Sequence, residues 1–371
     1  MYELLTGLRV IEVADSIAAR YAGRLLADLG AEVIRLETSE RRANRRETLG
    51  ERLDDYLSVN KLSAKVNVTA VSSEQLAAKI VERGDIILHD RTSEYFDLHL
   101  LTLSRYKHSP SVLCVVTPWG IESPYGHLCY DELLLFSLAG IALVTPEGAA
   151  DQDSERPMQL WGHQASFAAG IAAASAALQA SFSVKSDGQS RLVDVAILDV
   201  LLSIPVPSLA SAFGGGKPVA ASSQRTPTVP SGLLRCQDGY VYTQGGDDNW
   251  DPWAKVLGRD VWPEGPYPDS GAEQTVWTEL RRTAVEEWLA GRTKEDAYRV
   301  CQAAGIVAFP VNSVRDAASD PQTAHRGTLK PILAVNGEST RSMLRTPIRV
   351  GGGPVGELRD QWLRKLAESL E

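Results

Sequence analysis

The sequence predicts an α/β fold in two domains: a large one built on a parallel sheet and a smaller α+β one. Strand-like apolar runs alternate with helical runs through the first half of the chain. A stretch rich in proline and glycine then follows residue 204, and a hairpin pattern with several helices comes after it. Strands that alternate with helices imply a parallel sheet covered on both faces. The 371 residues suffice for two domains of ordinary size.

The first strand–helix–strand unit is the clearest. Residues 8–13 (LRVIEV) form a short apolar run with β-branched side chains, which is typical of a buried strand. Residues 17–29 show helical periodicity and stop at Gly30, a common helix terminator, before a second strand at 31–36.

Further elements of the large domain follow in order. The pattern predicts a weak strand at 66–68, a helix at 72–83, strands at 85–88 and 111–117, helices at 131–143 and 165–182, a strand at 191–195 and a helix at 197–203. The helix at 165–182 is rich in alanine, serine and glycine, so we expect it to pack closely against another helix.

The domain boundaries follow from composition. Residues 1–204 form the predicted large domain, 205–221 a linker, and 222–325 the small domain, with 326–371 returning to the large one. The small domain is predicted to hold a hairpin at 233–236 and 240–243, helices at 250–257, 275–290 and 294–304, and a strand at 306–311. Two short strands near 330 and 347 and a helix at 357–370 complete the prediction.

Charge and cysteine content narrow the class of protein. The net charge of −9 argues against nucleic acid as the main partner, because phosphate backbones need a basic face. The four cysteines are far apart and show no metal-ligand spacing, so we expect no metal and a reducing compartment. No run is long and apolar enough to predict a membrane span, and the N-terminus lacks the features of a secretory signal. We expect a soluble cytoplasmic protein.

The sequence motifs of dinucleotide-binding proteins, P-loop proteins and α/β-hydrolases do not support any of these functions for this chain. Gly351-x-Gly353-x-x-Gly356 matches a dinucleotide fingerprint, but only fifteen residues follow it, too few for the rest of a βαβ unit. The first βα turn, residues 14–18, has no glycine, and neither a P-loop nor a G-x-S-x-G motif occurs. A nicotinamide dehydrogenase is therefore disfavoured.

A basic cluster follows the second predicted strand. It consists of Arg41, Arg42, Arg45 and Arg46, with Arg35 before it and Lys61 after it. Ligands of parallel sheets bind at the edge where the strands end, so these side chains could grip the phosphates of an anionic ligand. Equally, the cluster could be a solvated loop neutralised by neighbouring glutamates.

Four stretches carry a family resemblance. They are residues 5–13 with 21–37, residues 116–120 with Tyr130 and Asp131, residues 188–199 (GQSRLVDVAILD), and residues 287–293 with 304–312 (AGIVAFPVN). Together and in this order they resemble the family III CoA-transferases, the CaiB/BaiF family. The resemblance implies a Rossmann-like large domain, a small domain and an interlocked dimer.

The resemblance also implies a reaction, in which CoA moves from an acyl-CoA donor to a carboxylic acid. In the family an aspartate near the start of the long central helix attacks the thioester, forming a mixed anhydride and then an aspartyl-CoA thioester. A carboxylate suits this role because it is ionised at neutral pH.

The sequence departs from the family at this position. Serine stands at the aspartate position in Ser166-Phe-Ala-Ala-Gly170. His163, three residues earlier, could activate Ser166 as a base. Asp131 is the acidic residue kept from the family pattern. Alternatively, Ser166 only caps or packs the helix. The hypotheses are a divergent CoA-transferase that binds CoA or acyl-CoA as a homodimer, a different enzyme using Ser166 and His163, and a non-catalytic subunit paired with an aspartate-bearing homologue.

Overall fold

The described part of the chain forms two compact units. The computed structural model describes residues 4–37, 50–65, 81–90, 110–144, 160–205, 213–214, 231–244, 250–258, 272–333 and 339–348. The first unit holds the described residues up to 214 together with 322–348, and the second holds those from 231 to 321. The predicted weak strand at 66–68, the glycine motif at 351–356 and the helix at 357–370 lie outside the described residues.

The first unit is built on a six-stranded sheet. Its elements up to residue 202 are β1 (Arg9–Val13), α1 (Ile17–Asp28), β2 (Glu32–Glu37), α2 (Glu51–Ser58), β3 (Leu62–Lys65), β4 (Ile86–His89), β5 (Val112–Thr117), α3 (Glu132–Leu138), α4 (Ile141–Val144), α5 (Gln164–Asp187), β6 (Arg191–Ala196) and α6 (Ile197–Leu202). The strand order is β3-β2-β1-β4-β5-β6, and every pair is parallel. The predicted parallel α/β sheet is confirmed.

Both faces of the sheet are covered, as the apolar strands require. Val10 lies in the large cluster beneath α1 and α5, whereas its neighbour Ile11 lies in a smaller cluster on the opposite face. This alternation follows from the period of two of a β-strand. All six residues of β5 are buried, as expected for a central strand of a parallel sheet.

The long helix α5 is the core helix of this unit. It packs against α1, β5, β6 and α6. By length and composition alone it could also cross a membrane, a test that core helices of globular proteins can pass as well. Gly170 makes the close approach to α1 possible, because a Cβ there would lie 2.7 Å from the carbonyl oxygen of Ala18.

The predicted helix at 131–143 is two helices. The chain turns at Gly140, whose φ of +74° favours glycine, and this turn separates α3 from α4. The short α2 is not among the predicted elements, because its eight residues are amphipathic but fewer than the span over which a helical period is read.

The second unit is an α+β arrangement. It contains β7 (Gly232–Cys236), β8 (Gly239–Gln244), α7 (Trp250–Leu257), α8 (Ala272–Ala290), α9 (Lys294–Ala303), β9 (Val307–Pro310) and α10 (Val314–Ser319). The three strands form an antiparallel sheet in the order β7-β8-β9. Its core gathers Trp253, Val285 and Leu289 from the helices with Val241 from the sheet.

The last described segment packs on the first unit. After α11 (Pro321–Arg326), the strands β10 (Leu329–Leu333) and β11 (Ser339–Leu344) pair antiparallel. Met343 contacts Tyr56 and Val59, which attaches this hairpin to the end of α2. The second strand therefore lies a few residues before the predicted position near 347.

Candidate active site

The site is built around the N-terminus of α5. His163 is the N-cap residue, but its side chain makes no capping hydrogen bond, and the first turn holds no acidic residue. Ser166 is the third residue of the helix and is half-buried. A helix of 24 residues presents unsatisfied N–H groups and partial positive charge at its start, which attract a negative group.

Glu132 supplies that negative group from the neighbouring helix. Its Oε1 accepts a hydrogen bond of 2.5 Å from Ser166 Oγ and one of 3.3 Å from Ser166 N. His163 Nδ1 lies 3.6 Å from the same oxygen. The structure therefore brings Ser166 and His163 together, but through a carboxylate that they share.

The second carboxylate oxygen of Glu132 has no partner among the described residues. Oε2 is buried without a hydrogen bond, and the side chain as a whole is 13% exposed. Buried polar atoms are usually satisfied. Within the described residues, Glu132 therefore combines one oxygen that Ser166 holds with one buried oxygen that has no hydrogen bond.

Among the described contacts, the side chain of Asp131 caps α3. It is the N-cap of α3, and its Oδ1 accepts a hydrogen bond of 2.8 Å from Leu134 N. Its carboxylate thus contacts its own helix rather than Ser166. By fixing the start of α3, Asp131 places the next residue, Glu132, against α5.

Tyr130, two residues before Glu132, belongs to a cluster of aromatic side chains. Tyr130 packs edge-on against Trp119, with 6.4 Å between ring centroids, and Trp119 contacts Tyr125 in the same manner. Burial, together with the negative charges of Asp90 and Glu132, raises the pKa of Tyr130, so its phenol stays protonated at neutral pH.

Asp90 closes the first βα turn. Its Oδ2 accepts hydrogen bonds from Asp15 N at 2.6 Å and Ser16 N at 2.5 Å, and Ser16 in turn caps α1. A carboxylate therefore occupies the backbone donors of this turn. Such donors hold phosphate in dinucleotide-binding folds, so this turn is occupied by the protein itself.

Arg35 and Lys61 are buried beside the same sheet edge. Lys61 is 3% exposed and donates to Glu12 Oε2 at 2.5 Å and to the Arg20 carbonyl at 2.7 Å. Arg35 is 1% exposed, and its guanidinium lies 3.4 Å from Glu12 and 3.3 Å from Glu37. Both cations therefore have protein carboxylates as partners.

Burial changes the proton affinity of this cluster. It lowers the pKa of Lys61 to about 7, although the Glu12 carboxylate opposes the shift. The other predicted phosphate ligands, Arg41, Arg42, Arg45 and Arg46, lie outside the described residues. Within the part of the chain that the structure describes, no group of three or more His, Cys, Asp or Glu side chains could hold a metal ion.

Two residues of the site were missed from sequence. Glu132 looked like an ordinary acidic residue in the first turn of a helix, where such residues are common. Asp90 follows a buried strand, and that position was the available signal, because polar residues at strand ends meet at one edge of a parallel sheet.

The sequence is similar to proteins of known family. The chain matches CoA-transferase family III over residues 5–361. It is 25% identical to a succinate–glutarate CoA-transferase of Agrobacterium fabrum, covering 95% of this chain and 90% of that protein. It is 23% identical to an L-carnitine CoA-transferase of Proteus mirabilis, covering 91% and 84%.

Solved structures show the same fold. A CaiB/BaiF family protein from Brucella suis superposes with a TM-score of 0.82 at 21% identity, covering 98% of both chains. A protein from Mycobacterium tuberculosis gives a TM-score of 0.76 at 22% identity, covering 96% of this chain and 95% of that one. The match over nearly the whole sequence and the shared fold agree, and the chain belongs to CoA-transferase family III.

Proposed function

We propose that this protein transfers CoA from an acyl-CoA thioester to a free carboxylic acid at the site formed by Glu132, Ser166 and His163. The observation that carries the proposal is the carboxylate of Glu132 at the start of α5, 2.5 Å from Ser166 Oγ. Family membership supports acyl-CoA transfer as the reaction class. A carboxylate at this point supplies the ionised group that such transfer uses.

Ser166 is proposed to act as a hydrogen-bond donor within this site. It occupies the position where the family resemblance places the nucleophilic aspartate. Its hydroxyl proton is directed at Glu132 Oε1, and His163 also faces that oxygen, at 3.6 Å. These contacts favour Ser166 as a donor over a Ser166–His163 nucleophile, which would need the imidazole to accept the serine proton.

The phosphates of CoA are proposed to bind the arginines that follow β2. In the sequence, Arg41, Arg42, Arg45 and Arg46 follow Glu37, where β2 ends, and ligands of such folds bind at the edge where the strands end. Guanidinium groups suit phosphate because they donate two parallel hydrogen bonds. Arg35 and Lys61 already have carboxylate partners, so we assign the phosphates to the four arginines.

A second polypeptide is proposed to cover part of the first unit. The first unit exposes several large apolar side chains: Trp161, Ile171, Phe182, Ile204 and Phe213. Exposed apolar surface of this kind is typical of subunit interfaces. We propose a cytoplasmic homodimer, and the alternative is pairing with an aspartate-bearing homologue. Light scattering after gel filtration measures the mass of the purified chain in solution, and the homodimer predicts twice the mass of one chain.

A turnover assay tests the proposed function. The purified chain is incubated with succinyl-CoA, glutaryl-CoA or longer acyl-CoA donors and with free dicarboxylic acids, fatty acids or carnitine as acceptors. We expect a new acyl-CoA by mass spectrometry and a higher melting temperature with CoA, since a ligand of the folded state stabilises it. Absence of both with every donor would reject the proposal and favour a non-catalytic subunit.

A further inference from the structure

We propose that Glu132 is the nucleophile that carries CoA in this protein, so that the reactive carboxyl group comes from α3 instead of α5. This inference rests on the proposed function. It names a residue outside the sequence position where the family resemblance places its catalytic carboxylate.

The chemistry of CoA transfer requires a carboxyl group on the protein. To release the donor acid and keep CoA, the protein must hold CoA as a thioester of its own acyl carbon. A serine hydroxyl has no such carbon. Acylated Ser166 would be an ester, and attack on it by a free acid would form an anhydride, which is uphill. Ser166 alone therefore cannot hand CoA to a carboxylic acid.

The geometry places Glu132 in the required position. Oε1 is held by the hydroxyl and backbone N–H of Ser166, while Oε2 is buried and has no partner among the described residues. One oxygen is thus anchored, and the other has no hydrogen bond to break before it attacks the carbonyl carbon of a thioester that enters the site. The side chain of Glu132 thus reaches from α3 to the first turn of α5, where its Oε1 lies 2.5 Å from Ser166 Oγ.

The other carboxylates close to the site are engaged. Asp131 accepts from Leu134 N as the cap of α3, and Asp90 accepts from two backbone N–H groups of the first βα turn. Among the described carboxylates, Glu132 combines a hydrogen bond from Ser166 with a buried oxygen that has no hydrogen bond.

The bond changes balance without an added reactant. Glu132 Oε2 attacks the thioester carbonyl, and CoA leaves as thiolate, giving a mixed anhydride. The thiolate attacks Cδ of Glu132, the donor acid leaves as carboxylate, and a glutamyl-CoA thioester forms. The acceptor carboxylate attacks Cδ and expels the thiolate. That thiolate then attacks the acceptor's carbonyl, which releases the new acyl-CoA and restores the Glu132 carboxylate.

Covalent trapping tests this assignment on the unmodified protein. The donor that supports turnover is added without acceptor, and sodium borohydride reduces the enzyme thioester to an alcohol. We expect peptide mapping to find the reduced side chain at Glu132. An acyl ester on Ser166, a label on another carboxyl group, or turnover without label at Glu132 would overturn the assignment. Failure of every donor to turn over would instead reject the proposed function, and this inference with it.

Variants give a second readout. Glu132→Gln should lower the transfer rate on the order of 10⁴-fold and abolish the trapped species. Ser166→Ala should lower the rate by about 10–100-fold, the effect of one hydrogen bond to a charged group, while the label stays at Glu132. Asp187→Asn, at the exposed far end of α5, is the matched control and should leave both unchanged. Equal rates for Glu132→Gln and the control would contradict the proposal.

Discussion

The hydroxyl of Ser166 donates a hydrogen bond of 2.5 Å to Oε1 of Glu132, which joins the first turn of α5 to the first turn of α3. The same oxygen accepts from Ser166 N at 3.3 Å, and this satisfies a backbone N–H of the first turn that the His163 side chain does not cap. This contact also places a carboxylate at the positive end of a 24-residue helix, where negative charge is stabilised. A position where the family resemblance expects an acid therefore still faces an acid, supplied by a different helix.

The packing of α5 on α1 gives the first prediction. Gly170→Ala should lower the melting temperature, because the new Cβ would lie 2.7 Å from the Ala18 carbonyl oxygen. We expect a net loss of about 1 kcal/mol or more in the free energy of unfolding, since overpacking typically costs about 1–3 kcal/mol. Urea unfolding measures this change in the free energy of unfolding. The exposed Ser175→Ala on the same helix is the control, and a stability gain in both variants would show that α5 and α1 are not in close contact.

The second prediction concerns Lys61. Lys61→Met leaves the buried Glu12 carboxylate without its closest cation, so the free energy of unfolding should fall by about 3–5 kcal/mol. The KM for acyl-CoA should not change in the folded protein, because Lys61 is buried against Glu12. The exposed Lys185→Met serves as control. An unchanged melting temperature with a raised KM would instead identify Lys61 as a ligand-binding residue.

The third prediction concerns Asp316 in the second unit. The ammonium group of Lys294, with hydrogen bonds from Ser313, lowers the pKa of this carboxyl to about 2. Because the folded-state pKa lies below the ordinary value, the contribution to stability is complete above pH 4 or so and is lost as pH falls through about 2.

Carboxyl chemical shifts in an NMR titration measure this pKa directly. Lys294→Met should raise the midpoint of Asp316 toward the ordinary aspartate value, since the main cause of the shift is removed. Arg299→Met, on the same helix but paired with Glu295, is the control and should leave the midpoint unchanged. A midpoint insensitive to Lys294 would mean that the ion pair does not form in solution.

Much of the fold could be predicted from sequence because its signals are local. Apolar periodicity predicts the strand at 8–13, and periodicity followed by Gly30 predicts the helix at 17–29. Both predictions agree with β1 and α1 to within one residue at each end. The sequence predicts one continuous helix at 131–143, because a single glycine, Gly140, does not reveal that the helix is interrupted there.

The site was harder to predict because its main contact is not local. Ser166 and Glu132 are 34 residues apart and meet only when α3 packs beside α5. The sequence predicts Ser166, His163 and Asp131 as site residues, and the described contacts add Glu132 beside Ser166 while Asp131 caps α3. Which of two adjacent acids faces the site depends on the start of the helix, and element boundaries are the least certain part of a sequence prediction.

Moving the carboxylate from α3 to α5 tests most directly whether Glu132 is the residue that carries CoA. The rate of CoA transfer is measured for the unmodified protein, Glu132→Gln, Ser166→Asp, and the double variant carrying both changes. We expect Glu132→Gln to be nearly inactive and the added Ser166→Asp to recover about 100-fold or more of the lost rate, because a carboxylate returns to the start of α5. Full activity of Glu132→Gln with Ser166 in place would contradict the account.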